Sequence, residues 1–309
     1  MRLFLVGKSK MTGDTMQPFV ITKLLGGLGN QLFQYAIGRR IAELNAMDLK
    51  LDISPFQEYP LRKYCLGNFR IRENFSTTED IEHIIMNRNL NKFYLTFPVL
   101  KPKKRILLVR EKRREYEYNK RYLSIRNNIY LSGYWQSEKY FKEIASIIRK
   151  EFQLKDRPSE PSRRMAEVIA GCEAVNLHIR RGDYASNPQT NQYHGLCTLD
   201  YYYAAINRLT SQLKTPHFFI FSDDIPWVRE NLKLPYPTVY VSHNGEERDY
   251  EDLWLMSLCK YHIIANSSFS WWGAWLAEYE GKIVIAPQKW LNNSEINTLD
   301  LVPESWVKI

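Results

Sequence analysis

From residue 19 onward the chain alternates short runs of β-branched and apolar residues with longer amphipathic stretches. Residues 19–25 (FVITKLL) read as a buried strand that the glycine-rich 26–30 breaks. Phe33, Ile37, Ile41 and Leu44 then recur at helical spacing, with Arg39, Arg40 and Glu43 off that stripe. The pattern predicts strands at 49–53 and 128–132 and a helix over 137–152. Two prolines and four charges crowd 154–162, which reads as a linker between residues 1–153 and 163–309. Past it, strands are expected at 174–179, 217–221, 238–242, 262–265 and 282–286, with helices at 199–213, 226–232, 249–261 and 271–279. Strands alternating with helices imply parallel sheets covered on both faces, an α/β fold. A chain of 309 residues suits two such domains of about 150 residues each.

The second half repeats one feature: an apolar strand runs out and polar residues crowd its end. Val175–Ile179 leads into Arg180, Arg181, Gly182 and Asp183; Phe218–Phe221 leads into Ser222, Asp223 and Asp224; Ile263–Ala265 leads into Asn266, Ser267, Ser268 and Phe269. Open α/β sheets bind ligands outside the carboxyl ends of their strands. Paired arginines and a serine turn before a helix favour an anion such as phosphate. Strand alternation puts His178 and Arg180 on one face and Arg181 on the other, so Arg180 is the expected phosphate ligand and Arg181 partly structural. Both arginines could instead form ion pairs with Asp183. Gly27 and Gly29 would let backbone approach phosphate, or simply make a tight turn. Asp52, 23 residues past Gly29, imitates part of a dinucleotide fingerprint, although the GxGxxG spacing is missing.

Charge and composition add little to this site and exclude a few alternatives. The net charge is +9, and residues 101–126 hold eleven Lys or Arg against three Glu. That segment reads as a solvated surface, a contact with anionic membrane or acidic glycolipid, or, least favoured, a nucleic-acid patch without a recognised motif. The four cysteines lack metal-site or disulfide spacing. No apolar run reaches the ~20 residues that span a bilayer, so the expected place is the cytoplasm, or the inner face of the membrane if the basic segment docks there.

The motifs together have a family likeness. HIRRGDY at 178–184 resembles the HxRRxD donor-binding signature of α-1,2-, α-1,6- and protein-O-fucosyltransferases. GGLGNQLFQYA at 26–36 resembles the amino-terminal motif of α-1,2-fucosyltransferases, and GYWQ at 133–136, FSDD at 221–224 and NSSFSWWG at 266–273 agree in order. The chain is thus similar to the bacterial-type α-1,2-fucosyltransferases of glycosyltransferase family 11. That resemblance implies a GT-B-like fold, two Rossmann-like domains facing across a cleft, with residues 1–153 on the acceptor side and 163–309 holding GDP-fucose. It implies inverting transfer to the 2-hydroxyl of a terminal galactose on an oligosaccharide or glycolipid. Residue by residue, it places Arg180 on the β-phosphate, His178 beside the nucleotide, Ser267 and Ser268 at the phosphate, Asp252 on guanine and Asn30 near the reacting diphosphate.

Leaving-group charge then falls to Arg180, Asn30 and the serine turn, and no divalent metal is expected because Asp223 and Asp224 are adjacent and point apart. A general base could be His194, in the polar loop after the arginines, or Asp183, with Asp223 behind them; concerted transfer without one stays open. Tyr134, Trp135 and Gln136 are candidate acceptor contacts, with Trp135 alternatively core. Rival readings are a GDP-fucose transferase of α-1,6 linkage, a non-catalytic nucleotide-binding protein, and an oxidoreductase supported by Asp52 alone.

Overall fold

The computed structural model describes residues 18–58, 62–81, 106–111, 116–126, 128–293 and 295–309. Two all-parallel sheets carry the chain. The first contains β1 (Phe19–Lys23), β2 (Asp48–Asp52), β3 (Ile106–Arg110) and β4 (Asn128–Ser132) in the order β2-β1-β4-β3. The second contains β5 (Glu173–Ile179), β6 (Pro216–Ser222), β7 (Thr238–Val241), β8 (Tyr261–Ile263), β9 (Ile283–Ala286) and β10 (Val307–Lys308) in the order β10-β9-β8-β5-β6-β7. Neighbours Val20 and Ile21 of β1, and Phe219 and Ile220 of β6, point to opposite faces and are all fully buried, as a sheet covered on both sides requires.

The helices are α1 (Leu28–Asn45), α2 (Ala145–Glu151), α3 (Glu160–Ala170), α4 (Gly182–Ser186), α5 (Pro188–His194), α6 (Leu199–Thr210), α7 (Ile225–Asn231), α8 (Asp249–Leu258) and α9 (Ser268–Leu276), besides shorter turns. Part of the segment read as a linker is helical, since α3 begins at Glu160. The helix expected over 137–152 is broken: single 3-10 turns at Glu138–Tyr140 and Lys142–Ile144 precede α2. Phe141 is the cause. Its φ of −139° and ψ of 2° are not helical, and its fully buried ring stacks on Trp272 at 5.2 Å.

That contact belongs to a core that joins the two halves. Helix α9 follows β8 of the second sheet, yet Trp271 and Trp272 lie 4.5 and 4.9 Å from Phe33 of α1. Phe152 completes the group, 5.2 Å from Trp272. Tilted and edge-on rings at these distances pack well. Gly273 is needed here because a Cβ would lie 2.8 Å from the Met256 side chain of α8.

Strand order reverses once in each sheet. In the second, β5 leads away to β6 while its neighbour β8 leads the opposite way to β9. In the first, β1 leads to β2 on one side while β4 lies on the other. Crevices form at the carboxyl ends of such neighbouring strands.

Candidate functional site

The two reversals face each other. The turn after β1 reaches the start of α9 so closely that a Cβ on Gly29 would lie 2.5 Å from the Phe269 nitrogen and 2.7 Å from Ser268 Oγ. Only glycine admits that approach. Gly26 supplies the bend with φ +79°, a left-handed conformation that glycine adopts at little cost. Gly27 stands at the N-cap of α1 without a side-chain cap. Two buried glutamines fix the turn: Gln31 donates to the Gly26 and Lys63 carbonyls, and Gln34 accepts from Leu25 N–H and donates to the Gly133 carbonyl. Asn30 Oδ1 accepts a 2.7 Å bond from Gln136 Nε2, which ties the loop after β1 to the loop after β4.

On the facing side, the arginines pair with the β6 loop. Arg180 lies 3.0 Å from Asp223 Oδ2. Arg181 donates its backbone N–H to Asp223 Oδ1 and its Nε to Asp224 Oδ2, and its guanidinium lies 3.5 Å above the Trp227 ring. Arg181 is therefore held by three contacts on its own sheet. The ion-pair partners are Asp223 and Asp224; the Asp183 side chain lies outside the described residues, although its backbone sits in α4. Gly182 tolerates the arrangement because a Cβ there would meet Asp223 Oδ2 at 2.5 Å. Asp224 also caps α7 at Trp227 N–H, and Ser222 Oγ accepts from Asp224 N–H. Neither carboxylate stands apart as a metal ligand would. Among the described residues no group of three or more His, Cys, Asp or Glu is placed to hold a metal ion.

His178 is 4% exposed, 5.7 Å from the Phe269 ring. Burial, with the Arg180 charge beside it, pushes its pKa down to about 3, so the imidazole is neutral at physiological pH. Its Nδ1 is buried without a hydrogen-bond partner among the described residues. Ser267 caps α9 by accepting from Phe269 N–H, and Ser268 opens the helix against Gly29. Free backbone N–H groups at a helix start favour negative charge. Asn266 is structural in this arrangement: its Nδ2 donates to the carbonyls of His194, Gly195 and Trp290. That bond network positions α5, whose last residue His194 stacks on Tyr184 at 4.7 Å and 9°.

A second polar cluster lies at the start of α8. Asp252 Oδ1 accepts from Asn244 Nδ2 at 2.6 Å. Burial pushes its carboxyl up to about 7, against the Asn244 bond and helped by the Asp249 charge. Asp249 is pushed up to about 6, again mainly by burial. Lys63 of the first half meets Glu247 at 2.7 Å beside this cluster.

Two candidates fall elsewhere. Trp135 is fully buried, 5.0 Å edge-on to Tyr122, so its indole is core and touches no ligand. Asp52 is buried, accepting from Tyr130 OH at 2.5 Å and from Ser54 N–H, which commits it to the first sheet and removes the support for a dinucleotide. Glu111 was not foreseen. It follows β3 and accepts both Tyr134 N–H (2.6 Å) and Trp135 N–H (3.0 Å). These bonds hold Trp135 at φ +57°, and burial pushes the carboxyl above its ordinary range. The basic segment lies partly outside the described residues, at 101–105 and 112–115; within it 106–110 is β3. Among the described residues no helix is long and apolar enough to cross a membrane.

Residues 19–309 match the model of glycosyl transferase family 11. The alpha-1,2-colitosyltransferase of Escherichia coli is 38% identical over 300 residues, spanning 94% of this chain and 98% of that protein. The O-antigen biosynthesis glycosyltransferase WbnK of Escherichia coli is 35% identical over 303 residues, spanning 93% and 99%. Among solved structures, a point mutant of Arabidopsis thaliana FUT1 in complex with GDP superposes with a TM-score of 0.53 at 11% identity, covering 96% of this chain and 77% of that one. The likeness is one of fold, the two-sheet GT-B architecture.

Proposed function

Because the chain belongs to glycosyl transferase family 11, we propose that it moves L-fucose from GDP-fucose to the 2-hydroxyl of a terminal galactose, with inversion. The observation that carries this reading is the close approach of Gly29 to Ser268 and Phe269, beside Arg180. A loop glycine against a helix start, with an arginine at the end of the neighbouring strand, is chemistry suited to a nucleoside diphosphate. The division of labour follows: residues 163–309 take the donor, 1–153 the acceptor side, and 154–162 connect them.

In the proposed reaction the acceptor oxygen attacks the sugar C1 as the bond from C1 to the β-phosphate oxygen breaks. Negative charge builds on the departing GDP, where Arg180 and the first N–H groups of α9 would meet it. Asn30, bonded to Gln136, would lie near the reacting diphosphate, as the resemblance implies. Asp223, 3.0 Å from the Arg180 guanidinium, holds it at the end of β5. Neutral His178 can give or take a hydrogen bond at the nucleotide through its unpartnered Nδ1. The acceptor proton leaves to His194 or directly to water. Asp252 would take the guanine edge, as the resemblance implies.

A second donor deserves equal trial, because the 38% identical relative is a colitosyltransferase. Colitose is L-fucose without its 3-hydroxyl, and its GDP ester would use the same phosphate contacts. Calorimetric titration in EDTA with GDP, GDP-fucose and GDP-colitose tests the reading. Metal-free binding by the wild type, lost in a folded Arg180→Ala, is expected. No binding of any of the three, with or without Mn²⁺, would overturn it, and tighter binding of GDP-colitose would change the sugar. Linkage analysis of the product separates α-1,2 from α-1,6.

A further inference from the structure

From Arg180 a line of aromatic rings crosses from the second half to the first. The Arg180 guanidinium lies 5.6 Å from the Tyr184 ring centroid. Tyr184 stacks on His194, and Tyr193 stands edge-on to His194 at 4.8 Å and 81°. The Tyr193 hydroxyl then meets the Tyr116 hydroxyl at 3.3 Å. Tyr134 stands near enough to Tyr193 and Glu111 for both to act on its phenol, and it is 38% exposed. Tyr184, His194, Tyr193 and Tyr116 are each half-buried. The loop bearing Tyr116 is fastened independently to the other half by Tyr118 N–H on Asp300.

We propose that Tyr193, Tyr116 and Tyr134 form the acceptor subsite, on which a neutral pyranose ring lies with its apolar face on the tyrosines and its reactive hydroxyl toward Arg180. The subsite deepens the glycosyltransferase reading and rests on it. Three features favour a sugar as occupant. Aromatic faces with hydroxyl edges match a ring that has C–H faces and hydroxyl edges. The line starts at the guanidinium assigned to the leaving group, and Tyr184 and His194 join it to the tyrosines. Glu111, beside Tyr134, has both oxygens engaged by backbone N–H groups, which commits it to the turn after β4 rather than to an occupant.

A purely structural alternative is that the Tyr116–Tyr193 bond latches the halves together. The test therefore compares Tyr193→Ala, Tyr193→Phe, Tyr116→Phe and Tyr134→Ala for steady-state transfer to lactose and to octyl lactoside. Loss of one ring contact is expected to raise acceptor KM about three- to tenfold in Tyr193→Ala and Tyr134→Ala. Donor KM should stay within about twofold, and Tyr193→Phe, which keeps the ring, should fall between wild type and Ala. Equal losses in Tyr193→Phe, Tyr116→Phe and Tyr193→Ala would make the contact a latch and overturn the subsite. An effect confined to octyl lactoside would make the surface a lipid contact and overturn it too. If Tyr193→Ala does not fold, exposed Tyr134→Ala decides: an unmoved acceptor KM overturns the subsite. A wild type that transfers to no galactoside would instead overturn the functional reading beneath it.

Discussion

The guanine role proposed for Asp252 carries a proton with it. Its carboxyl, raised to about 7 by burial, is ordinary in the unfolded chain, near 3.9. Between those values the folded protein holds a proton that the unfolded chain has released, so this group makes stability fall as pH rises through the window. A carboxylate accepting from guanine must first lose that proton. GDP affinity is therefore expected to weaken below about pH 7, by up to about tenfold per unit, and to level off above it. Titrations in two buffers of different ionisation enthalpy should show proton release on binding, absent in Asp252→Asn. A flat affinity from pH 5.5 to 8 in the wild type would remove Asp252 from the base site. The polar cluster around Arg180 was legible because it follows an apolar strand, although β5 ends at Ile179 and both arginines reach the loop after β6. The partners were not: Asp223 and Asp224 lie about forty positions along the chain, and no periodicity connects them to the arginines.

At the scale of elements, strands β1, β4, β5, β6 and β9 were readable as compact apolar runs, and β2, DLKLD, by its alternation. Strand β3 was hidden by its setting, ILLVR inside a densely basic stretch, where charge pattern dominates the reading. Glu111 follows that strand, which is why it escaped notice. It joins β3 to the turn after β4, holds Trp135 in its left-handed conformation, and so presents Gln136 to Asn30. Removing the carboxylate leaves two N–H groups without their acceptor. Glu111→Ala is expected to cost about 2–3 kcal/mol and Glu111→Gln, which keeps one acceptor oxygen, about 1 kcal/mol in urea unfolding. Turnover should fall with Asn30 misplaced, in the order Gln before Ala. Equal stability of all three proteins would show that the turn holds without Glu111. The helix expected over 137–152 failed for a similar reason, because tertiary stacking of Phe141 on Trp272 overrides a local helical pattern.

At the scale of the whole molecule, the two sheets share one aromatic core. Phe33, Phe141 and Phe152 of the first half close around Trp271 and Trp272 of the second. Trp272→Ala is expected to cost about 3–5 kcal/mol and to lower a single unfolding transition seen alike by far-ultraviolet circular dichroism and by fluorescence. Two separated transitions in the wild type would contradict a shared core. The same helix opens at Ser268, against Gly29, so the proposed donor end and the aromatic core share one helix.

That dual placement limits how such enzymes can be recombined. A chimera that joins the first half of one relative to the second half of another cuts the interface between α1 and α9, and brings together aromatic rings shaped for different neighbours. New acceptor preferences are more readily grafted by exchanging the loops after β3 and β4 within this chain, since those segments carry Tyr116 and Tyr134 and leave the tryptophans of α9 with their own partners.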